Sequence, residues 1–262
     1  MMRFISLTLW LLILAGHHSA FAQSEAVPEP ATIFLGCYPA SLSGFSNNQL
    51  LFRNGAKVQF DDGQKKNFQE LLAHATPLNQ LQQSYPVGSG SYNPPEYNYD
   101  PGRFRCAAFF RTMYGSNPGE VESHLVTIPW MPRSTHATVR ITSINGVDRA
   151  LTAVSSELDQ LPEEQKKYVI TTSGTYNWRP IAGSDQLSAH SFGIAIDINS
   201  DYSDYWRWAK PNGDSKIVYR NRIPHSIVEI FERHGFIWGG KWYHYDTMHF
   251  EYRPELLNQK RP

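Results

Sequence analysis

Three residues whose types suit a metal ion, His190, Asp197 and His249, lie in two short segments of the chain. Residues 188–197 read SAHSFGIAID and residues 246–251 read DTMHFE. Two neutral imidazoles and one carboxylate form a donor set for zinc, and three protein ligands leave a fourth position open for water, the arrangement of a catalytic rather than a structural site. On their own, His190 and Asp197 describe a hydrogen-bonded pair more readily than a metal site. The second segment reverses that balance. It supplies the third donor, His249, and three residues earlier a carboxylate, Asp246, placed to take a proton from an attacking water and return it to a leaving amine.

The elements that must position these residues follow from the pattern around them. Gly193 allows a bend after His190, and Ile194, Ile196 and Ile198 alternate with Ala195 and Asp197, which predicts a strand with Asp197 opposite a greasy layer. Residues 248–251 predict a second strand beside the first. Upstream, Asn54-Gly55 between the apolar runs 50–52 and 57–60 predicts a hairpin, because that dipeptide accepts the positive φ of tight turns. Helices are predicted over 66–75, from 104, after a turn over 100–103, to a stop at Gly115, over 147–161, and over 223–234 with Pro224 in the first turn and Gly235 as the C-terminal cap. Strands are predicted over 125–130, 137–141 and 168–172, a turn at 117–120, a short aromatic helix over 202–209 and a hairpin-like rise over 236–243. Residues 84–101 carry no period and predict an irregular surface loop. The fold class expected is α+β: a small antiparallel sheet flanked by helices and carrying a zinc site, with an N-terminal accessory region over 23–118 and a catalytic domain over 119–262.

Composition narrows the partners. The 262 residues are 41% hydrophobic and 13% aromatic, enough for a packed core. Lys plus Arg equals Asp plus Glu at 24 each, so neither a basic field for nucleic acid nor a polybasic patch for anionic lipid is present. Residues 1–22 have a charged start, an apolar middle and Ala20-Phe-Ala22 as a small-residue cleavage site, which predicts an exported protein with no stable membrane span after the signal is removed. Residues 23–30 predict an extended lead-in. Cys37 and Cys106 are the only cysteines. In an oxidising compartment they predict a disulfide, with two buried free thiols as the alternative.

The combined motif, Ser188-x-His190-x-x-Gly193-x-Ala195-x-Asp197 with Asp246-x-x-His249-Phe-Glu251, resembles the zinc peptidase family of VanY-type D-alanyl-D-alanine carboxypeptidases and phage L-alanyl-D-glutamate endolysins. The resemblance implies that His190, Asp197 and His249 bind Zn2+ and that Asp246 is the catalytic base. The family also uses an arginine upstream of the first ligand, and Arg179 in Tyr176-Asn-Trp-Arg179 resembles it, although the commoner wording of that element is absent; a surface arginine is the alternative. Glu251 is placed to orient a ligand imidazole, and Trp238, Trp242 and Tyr243 to line a groove or fill the core. The resemblance implies a periplasmic or cell-wall zinc metallopeptidase acting on peptidoglycan stem peptides. The Asp-x-x-His form is similar to the L-alanyl-D-glutamate endopeptidases; a D-alanyl-D-alanine carboxypeptidase or dipeptidase and a non-catalytic zinc-stabilised wall-binding domain are the alternatives.

Overall fold

Among the described residues nine short strands form three antiparallel sheets, and the third carries the candidate site. The computed structural model describes residues 26–88, 95–209 and 217–259; the leader expected over 1–22 lies outside the described residues. The first sheet joins β1 (Leu42–Ser46), β2 (Gln49–Phe52) and β3 (Lys57–Gln59) in sequence order. Asn47 and Asn48, with φ of 49° and 55°, turn β1 into β2, in the left-handed conformation that matches the twist of a tight hairpin. The β2–β3 hairpin forms as expected, with Gly55 at φ 86°. The second sheet pairs β4 (Leu125–Pro129) with β5 (Thr138–Thr142).

The third sheet contains β6 (Thr172–Gly174), β7 (Ala195–Ile198), β8 (Phe236–Trp238) and β9 (His249–Tyr252), in the order β6-β7-β9-β8. Asp197 is the register partner of His249, and Ala195 that of Glu251. Ile194, Ile196 and Ile198 are fully buried beneath this sheet, as their alternation predicts.

The helices are α1 (Glu29–Cys37), α2 (Phe68–His74), α3 (Pro77–Gln80), α4 (Ala107–Tyr114), α5 (Pro118–Glu122), α6 (Val147–Leu158), α7 (Glu163–Lys166), α8 (His225–Arg233) and α9 (Pro254–Leu257). α2 opens with a reciprocal cap in which the Asn67 side chain accepts from the Glu70 amide and the Glu70 carboxylate accepts from the Asn67 amide. α6 buries Leu151, Val154 and Leu158 on one face, and α8 buries Ile227, Val228, Ile230 and Phe231; these two helices pack together, with α8 against β8. None of the helices in the described residues is long and apolar enough to cross a membrane.

A single apolar cluster runs from Ala31 and Phe34 of α1 through Phe109 and Phe110 of α4 to Phe231 and Phe250, so residues on both sides of position 119 share one core. A buried ionic chain also joins them. Tyr38 donates to Glu255, Glu255 accepts from Arg253, Arg253 donates to Glu251, and Glu251 accepts from Arg105, at 2.5 to 3.0 Å. Two guanidinium groups against two carboxylates leave this chain with no net charge, which makes its burial tolerable.

Several local expectations are corrected. α1 begins at Glu29, inside the stretch expected to be extended, with Pro30 suited to the first turn. Residues 117–120 lead a short helix, α5, because Asn117 caps it through the Glu120 amide. Residues 168–170 continue the turn out of α7, their amides bonding back to Gln165 and Lys166, so the strand starts only at Thr172. Residues 202–209 do not form one helix. Tyr205 bridges to Asp246, and the Trp206 amide bonds to the Tyr245 carbonyl, which ties the segment to the loop just before β9. Nor does 241–243 pair as the second arm of a hairpin: β8 pairs with β9, while Trp242 Nε1 reaches the Pro101 carbonyl and the Tyr243 amide reaches the Tyr99 carbonyl.

The expected disulfide is also corrected, because Cys37 and Cys106 are free thiols. Cys37 ends α1 with its Sγ accepting from Asn258 Nδ2 at 3.6 Å, while Cys106 is buried as the residue before α4. Burial pushes the Cys37 thiol up to about 12, with the Glu255 charge adding to the effect, and burial raises that of Cys106 as well.

Candidate metal centre

His190 lies in a short helical turn after Ser188, whose hydroxyl accepts from the His190 amide at 3.4 Å. Gly193 closes that turn at φ 63°. A Cβ there would stand 2.6 Å from a Leu125 methyl and 3.3 Å from the Thr142 amide, so glycine is required both for the conformation and for the close approach of β5. The chain then enters β7 and carries Asp197 opposite His249.

The three side chains converge. His190 Nε2 lies 3.1 Å from Asp197 Oδ1 and 3.1 Å from His249 Nδ1, and His249 Nδ1 lies 3.0 Å from Asp197 Oδ1. Among the described residues these three form a group able to hold a metal ion. A tetrahedral zinc at ~2.0–2.1 Å from each donor separates the donors by ~3.3 Å, so the spacing fits that ion.

The outer nitrogens settle which tautomers the site holds. His190 Nδ1 faces the Thr175 carbonyl at 2.5 Å, an acceptor that demands a proton on that nitrogen and leaves the Nε2 lone pair facing the centre. His249 Nε2 faces Glu251 Oε2 at 3.1 Å, which leaves Nδ1 to face the centre. Two imidazole nitrogens and a carboxylate oxygen thus point at one spot, and a bound cation would take the His249 Nδ1 lone pair in place of the proton held in the metal-free site. Burial works against the Asp197 charge, but the hydrogen bonds and charges of His190 and His249 hold its carboxyl below the usual range. Burial likewise opposes charge on His249, whereas Asp197 and Glu251 raise its imidazole to about 10. Glu251 is itself held well below the usual carboxylate range: burial opposes, but Arg105, His249 and Arg253 outweigh it.

Asp246 lines the same cavity, about 320 Å³ in volume. Its Oδ1 is buried and has no hydrogen-bond partner among the described residues, an arrangement that costs free energy unless something else fills the place. Burial pushes its carboxyl up to about 6; Asp197 adds to the rise and the two histidines oppose it. Gly239 lets this segment fold tightly, since a Cβ there would meet the Asp246 carbonyl at 2.6 Å.

Arg179 reaches the same cavity from the loop before His190. Its amide donates to Ser191 Oγ at 3.0 Å, and its carbonyl accepts from the Ser188 amide and Ser191 Oγ, which fixes the loop while the side chain stays exposed. Trp242 stands beside His249, with ring centroids 5.7 Å apart, and Trp238 is core, its Nε1 donating to the Thr247 carbonyl. Sequence reasoning missed Arg103, Arg105 and His244, which line the cavity from outside the motif, and Asp100, which holds His244 Nδ1 at 2.6 Å. The only local sign was the Asp100-Pro-Gly-Arg103 turn, and its spacing says nothing about which distant segment it faces.

Residues 182–252 match the family model described as D-alanyl-D-alanine carboxypeptidase. The match takes in His190, Asp197, Asp246, His249 and Glu251, and bears out the family resemblance carried by the motif. The family so described is one of zinc metallopeptidases, hydrolases of peptide bonds, and the likeness to it covers this segment. No curated protein matches the chain closely enough to add a relative.

Proposed function

We propose that the chain is an exported zinc peptidase that cleaves a bond in the peptidoglycan stem peptide, with His190, Asp197 and His249 as the metal ligands and Asp246 as the general base. The observation that carries this reading is the pairing of the three inward-facing donors with the buried Asp246 carboxylate at their side, whose Oδ1 has no partner among the described residues. Bound zinc would supply an acidified water and polarise the scissile carbonyl. Asp246 takes the proton of the attacking water and delivers it to the leaving amine. Its raised carboxyl suits it to both halves of that transfer. Arg179, with an exposed side chain that lines the cavity and has no polar partner among the described residues, stabilises the negative charge that grows on the carbonyl oxygen. Glu251 and the Thr175 carbonyl keep the two imidazoles in their binding tautomers.

The Asp-x-x-His form of the second segment supports an L-alanyl-D-glutamate endopeptidase. The description of the matching family favours a second reading, a D-alanyl-D-alanine carboxypeptidase. Mass spectrometry of defined muropeptides incubated with the zinc-loaded protein, with and without a chelator, separates them. Chelator-sensitive cleavage between L-alanine and D-glutamate supports the first; release of D-alanine alone overturns it in favour of the second. Absence of any cleavage overturns the peptidase reading and leaves a zinc-stabilised wall-binding domain.

A further inference from the structure

The cavity at the metal centre continues outward. Arg103, Arg105, Ile181, Ala182, Trp206 and His244 border both it and a neighbouring cavity of about 570 Å³, which runs over α2 beside Leu72 and His74 and under the 181–186 loop. Together they make one groove whose outer part is lined by a helix that precedes the family-matching segment by more than a hundred residues of chain.

The outer part carries three guanidinium groups, of Arg103, Arg105 and Arg207, against one lining carboxylate, Asp185. Arg103 spends one nitrogen on Asp100, at 3.0 Å, and Asp100 is completely buried and also fixed by His244, so the arginine is anchored at one corner. The rest of its guanidinium has no protein partner among the described residues. Arg105 gives one nitrogen to Glu251, while its Nε–H is buried and unpartnered. Arg207 donates to the Ala182 carbonyl at 2.8 Å and lies over the Trp206 ring, 5.1 Å from its centroid, which holds its plane at the groove wall. A guanidinium anchored at one edge with its remaining donors unused matches the two oxygens of a carboxylate, and partial burial protects such a pair from screening.

We infer that the outer groove is a carboxylate-binding subsite: it takes an acidic peptide and holds a carboxylate remote from the scissile bond on Arg103 and Arg207, with Arg105 behind them. This rests on the peptidase reading of the metal centre and adds a substrate requirement to it. It also gives the N-terminal residues a role, since α2 and the arginines at 103 and 105 build the subsite while the matching segment builds the centre.

The test uses a synthetic stem peptide and a set of twins in which one carboxylate at a time is replaced by a carboxamide. Zinc-loaded full-length Asp246→Ala protein is titrated with each by calorimetry, and zinc-loaded wild type is assayed on the same set. One twin should bind about 10- to 100-fold more weakly than the parent and be cleaved with kcat/KM reduced in proportion. Arg103→Gln should erase that discrimination, and Arg207→Gln, at an exposed position, should reduce it even if Arg103→Gln does not fold. Equal affinity for every twin, or discrimination that survives both substitutions, overturns the subsite. If wild type cleaves the parent and all twins alike, the subsite fails and the peptidase reading stands. If nothing is cleaved while affinity still depends on one carboxylate, the subsite stands and the peptidase reading fails.

Discussion

Asp197 and His249 are direct register partners across β7 and β9, and the Asp197 carboxylate lies 3.0 Å from His249 Nδ1. Facing residues of an antiparallel pair project from the same side of the sheet, so strand pairing itself brings two donors from segments fifty residues apart to one point. Asp197→Asn keeps the shape but removes the charge that a cation needs. Zinc affinity, read by competition with a chromophoric chelator, should fall by more than the roughly 10- to 100-fold expected for losing an outer partner of a ligand. Unchanged affinity would remove Asp197 from the ligand set.

Glu251 serves the core and the centre together, because it accepts from His249, Arg105 and Arg253. Glu251→Gln leaves two buried guanidinium groups facing one remaining carboxylate, Glu255. Breaking a buried pair in this way costs roughly 3–5 kcal/mol, a drop in Tm of roughly 10 °C for a chain of this size. The folded carboxyl is held below its ordinary 4.5, so its contribution to stability is complete above that value. As pH falls below 4.5 the contribution declines, and it is lost at the much lower folded value. Thermal melts of metal-free protein across this window should show the acid-side decline in wild type and a shallower one in Glu251→Gln.

The parts of this molecule legible in the sequence are those whose partners lie nearby or repeat a pattern. The alternation around Asp197 marked a strand, Asn54-Gly55 marked a hairpin, and Gly235 marked the end of α8. The convergence of His190, Asp197 and His249 was legible because the two segments carry a bipartite motif, and the family match over 182–252 takes in all three. The misreadings share another cause. At 202–209 and 241–243 the local composition was overridden by distant carbonyls, those of Tyr245, Pro101 and Tyr99. The same holds for Arg103 and Arg105: nothing beside them in the chain announces that they face a cavity formed by residues near 181 and 244.

The free thiols make a separate prediction. Cys37 and Cys106 occupy different surroundings, and burial raises both thiols. Thiol titration in denaturant without reductant should return two groups per chain, while the native protein reacts slowly with iodoacetamide at neutral pH because little thiolate is present. Cys37→Ser should not cause the loss of roughly 4 kcal/mol that breaking a long-loop disulfide would. Recovery of no free thiol in denaturant would restore the disulfide.

Asp246 separates a hydrolytic centre from a merely structural one. Its buried Oδ1 has no partner among the described residues, and Asp246→Ala removes that oxygen while leaving His190, Asp197 and His249 in place. The variant should retain zinc at wild-type stoichiometry and lose about 100- to 10,000-fold in kcat on whichever muropeptide the wild type cleaves. The base acts when ionised, so wild-type kcat/KM should climb with pH through the Asp246 carboxyl. That group titrates at about 6 in the metal-free site, and a bound dication favours its charged form, so the midpoint of the acid limb should lie at or below about 6. An acid limb clearly above that midpoint, or activity undiminished in Asp246→Ala, would assign the proton transfer to another group lining the cavity, of which His244 is the first to examine.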